Sequence, residues 1–238
     1  MSNCNNGNIP KTKISVAIDG PSGAGKSTVA RLAAKKLGFL YVDTGAMYRA
    51  LTLEALKNGV DLYDEQRMTK LAQKSKITLD PDENNFLRVF VNGEDVTDKI
   101  RQPEVSRSVS YTARLPKVRE YMVSQQRLMA KHGRIVMEGR DIGTVVLPNA
   151  EVKVFLTASQ PTRARRRQRQ LANENVYVNL EQLNQEIATR DYLDSSRITA
   201  PLVPAQDAKV IDSSSLSVEQ VVELIVKKVK LYGKQSFR

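Results

Sequence analysis

Gly20-Pro21-Ser22-Gly23-Ala24-Gly25-Lys26-Ser27 is the stretch on which the fold turns. It fits the pattern G-x-x-x-x-G-K-[S/T] in full, and its surroundings fit as well. Upstream, Ile14 to Ile18 is a short apolar run rich in β-branched residues that ends at Asp19-Gly20, which predicts a buried strand entering a turn. Downstream, Ser27 opens STVARLAAKKLG, whose Val29, Leu32, Ala33 and Leu37 share one helical face before the stop at Gly38. A strand, a glycine-rich bend and a helix N-terminus make a phosphate cradle, because the glycines let successive N–H groups converge and the helix dipole adds to them. The candidate phosphate binders are Gly20, Ser22, Gly23, Ala24, Gly25, Lys26, Ser27 and Thr28. Lys26 is expected on the β- and γ-phosphates of a nucleoside triphosphate, and the Ser27 hydroxyl on Mg²⁺.

The chain around this motif alternates strands and helices. Phe39 to Val42 reads as a strand and Thr44 to Leu56 as a helix closed by Asn58-Gly59. Such spacing argues for a parallel sheet with helices on both faces. From about Asp61 to Pro116 the rhythm changes: KITLD and FLRVFV read as strands, and Asn92-Gly93 is a strong hairpin signal. An antiparallel insertion is therefore expected in an α/β core. The core pattern resumes with a helix from Pro116 to Lys131, strands at 134–137 and 152–156, an arginine-rich helix opened by Ser159 and Pro161, and a helix from Leu180 to Asp194. Asp207 to Ile211 supplies a last strand. Ser217-x-x-Gln220 is a capping box before an apolar stripe of Val218, Val221, Val222, Ile225 and Val229. Residues 1–12 form a polar extension, leaving 13–238 as one domain of about five parallel strands.

Composition bounds the function classes. In 238 residues, 41% hydrophobic and 26% charged describe an ordinary globular chain. No apolar run reaches the ~18 residues of a membrane span, the N-terminus lacks a secretory h-region, and Cys4 is the sole cysteine, so no intramolecular disulfide forms. The expectation is a cytoplasmic monomer without a membrane partner. A net charge of +11 favours anionic partners. Aromatic residues total 5% with no tryptophan, so the aromatic–cation interleaving of single-strand nucleic-acid platforms is missing and no nucleic-acid partner is expected.

A P-loop alone does not separate kinases from GTPases or motor ATPases. The Asn/Thr-Lys-x-Asp element of guanine-specific GTPases is absent, whereas five of the seven residues from Arg163 to Arg169 are arginine. Guanidinium forks can clamp the oxygens of a transferring phosphoryl group. Two further readings stay open on these grounds: a hydroxyl kinase of the shikimate type using Asp43, and a basic RNA-binding P-loop protein or NTP-driven switch.

GPSGAGKST, then DTGAMYRA at 43–50, EGRDIGTVVLP at 138–148, RD-x-x-D-x-x-R at 190–197 and APLVPA at 200–205 closely resemble the bacterial cytidylate kinase family. The likeness runs from about Ile14 to the C-terminal helix, and the spacing of all five blocks agrees. Glu138 is a departure, since the family often carries Asp there. The resemblance implies transfer of the γ-phosphoryl group of ATP to CMP or dCMP. It implies Thr44 and Arg49 on the acceptor phosphate, with Arg140 and Arg190 sharing that phosphate or the transferring group. It implies Ser110, Arg119 and Asp141 as cytosine readers, and Asp194 and Arg197 near the acceptor sugar and phosphate. Segment 64–113 resembles the family's acceptor-binding insertion and 159–182 its short lid, with Arg163 and Arg167 the leading lid arginines. The implied catalytic set is Lys26, Arg140, Arg190, Arg163 and Arg167. A charge run is commonly just a solvated helix face, Asp43 suits a helix-opening residue, Asp19 a turn, and His132 a helix end that needs no chemical duty.

Overall fold

The apolar run before the phosphate motif becomes β1 (Ser15–Asp19), and it lies mid-sheet because neither of its faces can be left in water. In a computed structural model, which describes residues 13–83, 86–173 and 176–235, β1 pairs in parallel with β6 (Ile135–Gly139) and with β7 (Val152–Thr157). β2 (Leu40–Asp43) and β8 (Lys209–Asp212) complete a five-stranded parallel sheet of order β2-β6-β1-β7-β8. The polar extension expected at 1–12 lies outside the described residues.

Strand alternation divides the core. Val16 and Ile18 pack against Val29, Ala33 and Leu37 of α1 (Lys26–Leu37) and Val222, Ile225 and Val229 of α8 (Val218–Gln235). Ala17 faces the opposite layer, with Val42, Met137 and Val123 of α5 (Pro116–Ala130). Fully burying a side chain such as Ile18 is worth about 1.5–3 kcal/mol. Local signals end the helices as read from the sequence. Gly38 closes α1 in the left-handed conformation at φ 65°. The capping box opens α8 reciprocally, with Gln220 N–H donating to Ser217 Oγ at 3.2 Å and Ser217 N–H to Gln220 Oε1 at 2.8 Å.

The insertion contains the expected antiparallel sheet, β3 (Ile77–Pro81), β4 (Leu87–Val91) and β5 (Glu94–Asp95), turned at Asn92-Gly93 with φ of 51° and 89°. It also contains two helices that the strand reading passed over, α3 (Glu65–Lys74) and α4 (Pro103–Thr112). Each has a thin apolar stripe. Met68 and Ala72 of α3 and Val109 of α4 are buried with Met47 and Leu51 of α2 (Thr44–Lys57) and Met122 of α5, so tertiary packing makes the helices more than propensity does. The arginine-rich α6 (Gln160–Asn173) and α7 (Leu180–Ser195) pack through Ala164, Leu171, Leu183 and Ile187. Among the described residues no helix is long and apolar enough to cross a membrane.

Chain connections leave β1 toward β2 on one side and β6 toward β7 on the other. The sheet order thus reverses at β1, and a crevice opens at the C-terminal ends of these strands, where ligands bind in sheets of this kind.

Candidate active site

The P-loop fills that crevice at the end of β1. Gly20 has φ 149°, and a Cβ on it would meet the Leu156 carbonyl oxygen at 1.9 Å, so only glycine lets the loop leave the sheet beside β7. Gly25 stands at the N-cap of α1 with φ 93°, a left-handed position that aims the following N–H groups into the bend. A cavity of about 660 Å³ opens over the loop. Every other phosphate candidate, Ser22 through Thr28, lines it. Gly20 does not; it shapes the loop from behind.

Lys26 is buried, and its Nζ donates to the Pro21 carbonyl at 2.8 Å. Burial and then the nearby Arg140 guanidinium lower its ammonium to about 7. That crowding follows from the opposite wall. There, Arg49, Arg140, Arg190 and Arg197 converge from α2, the end of β6, and the end of α7 with the residues after it. Burial, and then Arg140, likewise lowers Arg190, to about 10. Asp194 organises the wall: its Oδ2 accepts from Arg140 Nε at 2.7 Å and its carbonyl accepts from Arg197 Nε at 3.1 Å. Burial would raise its carboxyl, but the arginines outweigh this and hold it below the usual range.

Among the described residues, several buried donors in this wall have no hydrogen-bond partner: Arg49 Nε, Arg190 Nε and the Tyr48 hydroxyl, and also Arg197 Nη2, which makes only a long ion pair of 3.7 Å with Asp194 Oδ1. An unsatisfied buried donor costs about 1–3 kcal/mol, more when charged. Their concentration beside one cleft marks it as built for an anion.

Thr44 Oγ1 donates to the Glu138 carbonyl at 2.7 Å. Asp43 caps α2 by accepting from Ala46 N–H at 2.9 Å and pairs with Arg49 at 2.8 Å. Burial would raise its carboxyl, but Arg49 holds it below the usual range. Glu138 accepts from the Tyr41 hydroxyl at 2.9 Å, and burial followed by Asp43 pushes its carboxyl up.

The inner end of the cleft holds Ser110, Arg119 and Asp141. Arg119 and Asp141 form a buried ion pair, and Arg119 Nη1 also donates to the Ala113 carbonyl at 3.2 Å. Burial raises the Asp141 carboxyl, and Arg119 opposes this. Sequence reasoning passed over Tyr48, which lines the same end with the Arg119 guanidinium 5.9 Å from its ring centroid. Its position inside DTGAMYRA was the available signal.

The two arginines expected in the lid part company. Arg167 lines the cavity. Arg163, the other arginine expected in the lid and in the catalytic set, does not line the cavity but packs against the P-loop: its Nη1 donates to the Ser22 carbonyl at 3.0 Å, Nε to the Ala158 carbonyl at 3.0 Å, and Nη2 pairs with Asp191 at 2.6 Å. It stands in the first turns of α6, where the helix is still against the core. Arg166, not singled out from sequence, joins the Ala24 carbonyl at 3.3 Å and the Ser213 carbonyl at 2.6 Å.

A P-loop and an arginine cluster lining one cleft are the parts a P-loop kinase requires. The cytidylate kinase family model matches residues 16–231. A cytidylate kinase from Pelotomaculum thermopropionicum is 57% identical over 214 residues, covering 90% of this chain and 95% of the relative. One from Geobacillus kaustophilus is 55% identical over 216 residues, covering 91% and 96%. The chain belongs to the cytidylate kinase family. At the level of fold alone, a solved structure of an uncharacterized protein from Eubacterium ventriosum aligns with TM-score 0.51 at 12% identity, covering 91% of this chain and 98% of that one.

Proposed function

We propose that this chain carries out its family's reaction, phosphorylation of CMP and dCMP with ATP, by direct in-line transfer across the cleft. The observation that carries this is the set of buried donors without a hydrogen bond on Arg49, Arg190 and Arg197, residues that line the same cleft as the P-loop. ATP lies with its phosphates in the P-loop, held by the N–H groups of residues 22–28 and by Lys26. CMP enters opposite, its phosphate on Thr44, Arg49, Arg140 and Arg190, and its sugar near Asp194 and Arg197. Ser110, Arg119 and Asp141 read the base. Arg167 reaches the transferring group from the lid.

An acceptor phosphate oxygen is already anionic near neutral pH, so the reaction needs no base, and positioning with electrostatic stabilisation is enough. The engaged Asp43 supports this over an alcohol kinase, since one oxygen accepts from Ala46 N–H and the other pairs with Arg49. Closure of insertion and lid excludes water and suppresses ATP hydrolysis.

The residues around Ser27 fit Mg²⁺. Ser27 lines the cleft together with Asp43 and Glu138, an all-oxygen set suited to a hard cation that keeps most of its waters and substrate phosphates. Ser27 would hold it, and bound there it would neutralise charge on the β- and γ-phosphate oxygens.

A monomer in the cytoplasm completes the proposal. The test is a coupled ADP-release assay over CMP, dCMP, UMP, AMP and shikimate. CMP and dCMP are expected to lead. A preference for shikimate, or salt-sensitive RNA binding without ADP formation, would replace this reading.

A further inference from the structure

One buried charge has no part in the cleft chemistry. Asp19, the last residue of β1, is 3% exposed and does not line the cavity, although Gly20 of the P-loop follows it directly. Its Oδ1 accepts from Ile142 N–H and its Oδ2 from Gly143 N–H, each at 2.7 Å. Burial pushes its carboxyl up to about 6, so the fold keeps this carboxylate at a cost.

The two N–H groups open an unusual element. Residues Ile142–Val146 form a single π-helical turn, with Val146 N–H bonded to the Asp141 carbonyl at 3.1 Å and Leu147 N–H to the Ile142 carbonyl at 2.7 Å. An isolated helical turn does not sustain itself, because few bonds offset the backbone entropy of forming it. Both of its ends also carry unsatisfied backbone groups. Asp19 supplies the acceptors at the start. At the other end Arg127, reaching over from α5, donates from Nη2 to the Val145 carbonyl at 2.7 Å and from Nε to the Val146 carbonyl at 3.1 Å. Gly143 suits the contact at Asp19 Oδ2, since a Cβ there would crowd that oxygen at 3.3 Å. Immediately before the turn come Arg140 and Asp141, both in the cleft wall.

We propose that Asp19 and Arg127 are positioning residues for acceptor recognition, clamping the 142–146 turn from its two ends and so fixing where Arg140 and Asp141 stand. Neither need touch substrate. Asp19 joins the base-reading loop to the strand that carries the P-loop, so one carboxylate sets the spacing between the donor and acceptor halves of the site. Arg127 acts on the acceptor half alone. The inference rests on the proposed roles of Arg140 and Asp141 toward CMP.

Steady-state kinetics on Asp19→Asn, Arg127→Met and Arg127→Lys test it, with Asp141→Asn alongside. Arg127→Met keeps most of the stem but no donor, and is expected to raise KM for CMP about tenfold while KM for ATP stays within about twofold. Arg127→Lys, a single ammonium facing two carbonyls, should fall between it and the parent. Asp19→Asn retains one acceptor and turns an amide toward the other N–H; it should raise KM for CMP by a similar factor. If Asp19→Asn does not fold, the Arg127 pair decides alone. In the Arg127 variants, CMP and ATP constants that change in parallel, or a CMP constant that stays at the parent value, overturn the clamp. Asp141→Asn separates the two readings: if it leaves the CMP/UMP ratio unchanged, the base-reading role fails, whereas the KM split in the Arg127 variants still decides the clamp.

Discussion

Arg163 donates from Nη1 to the Ser22 carbonyl at 3.0 Å, so a residue of α6 holds the P-loop. The same guanidinium pairs with Asp191, next in the chain to Arg190. Arg163→Ala should therefore destabilise the fold by about 2–3 kcal/mol, less than for a fully buried pair because Asp191 is partly exposed. It should also raise KM for ATP. Arg167→Ala, at a residue that lines the cavity, should lower kcat at least about tenfold. Thermal melts and initial rates on both variants check the division; a larger kcat loss in Arg163→Ala without destabilisation would return it to the chemistry.

Lys26 presents the opposite balance. Its ammonium is buried, with Arg140 and Arg190 opposing its charge and Glu138 and Asp194 favouring it, and it donates to the Pro21 carbonyl. Lys26→Ala removes a charge whose burial the fold does not favour, so the melting temperature should stay level or rise while kcat falls about a hundredfold or more. Unfolding together with loss of activity would contradict the assignment.

Asp19 makes stability depend on pH in a defined direction. Its carboxyl titrates at about 6 in the folded chain and near 4 when unfolded. Burial raises it, Asp141 adds to the rise, and the Ile142 and Gly143 N–H groups with Lys26 oppose it. A raised folded value gives stability that is fully present below the unfolded value and lost as pH climbs through the folded one. Denaturant melts from pH 4 to pH 7 should thus show the parent losing up to about 3 kcal/mol relative to Asp19→Asn, from 1.36 kcal/mol per unit. A pH-independent difference would mean that Asp19 titrates normally.

What the sequence made legible was what is local. The P-loop, its strand and helix, the Asn92-Gly93 turn and the Ser217–Gln220 box each sit within a dozen residues, where spacing carries the geometry. Helix α3 was hidden because EQRMTKLAQK buries only Met68 and Ala72, and the strand signals after it were stronger. Arg163 and Arg167 are one turn apart on the same face, so periodicity could not tell the one against the core from the one in the cleft. Asp19 looked like a turn residue because its partners lie 123 and 124 positions away.

Base choice is the sharpest consequence of the buried Arg119–Asp141 pair at the inner end of the cleft. Cytosine offers an N4 amino donor where uracil offers an O4 acceptor, so an ionised carboxylate facing that edge attracts one base and repels the other. Burial raises the Asp141 carboxyl, and the Arg119 guanidinium opposes that rise in favour of the ionised form. A good base contact is worth ~1–3 kcal/mol, about ten- to hundredfold in kcat/KM for CMP over UMP. Asp141→Asn keeps the shape but exchanges the charge for an amide that can donate to O4 or accept from N4. The CMP/UMP ratio should shrink toward unity, chiefly through lost CMP efficiency. The melting temperature should fall too, because Arg119 is left buried without its counter-charge. Specificity constants for both nucleotides, measured below the melting point of the variant, give the answer. A ratio unchanged from the parent would move base reading from Asp141 to Ser110 and Arg119.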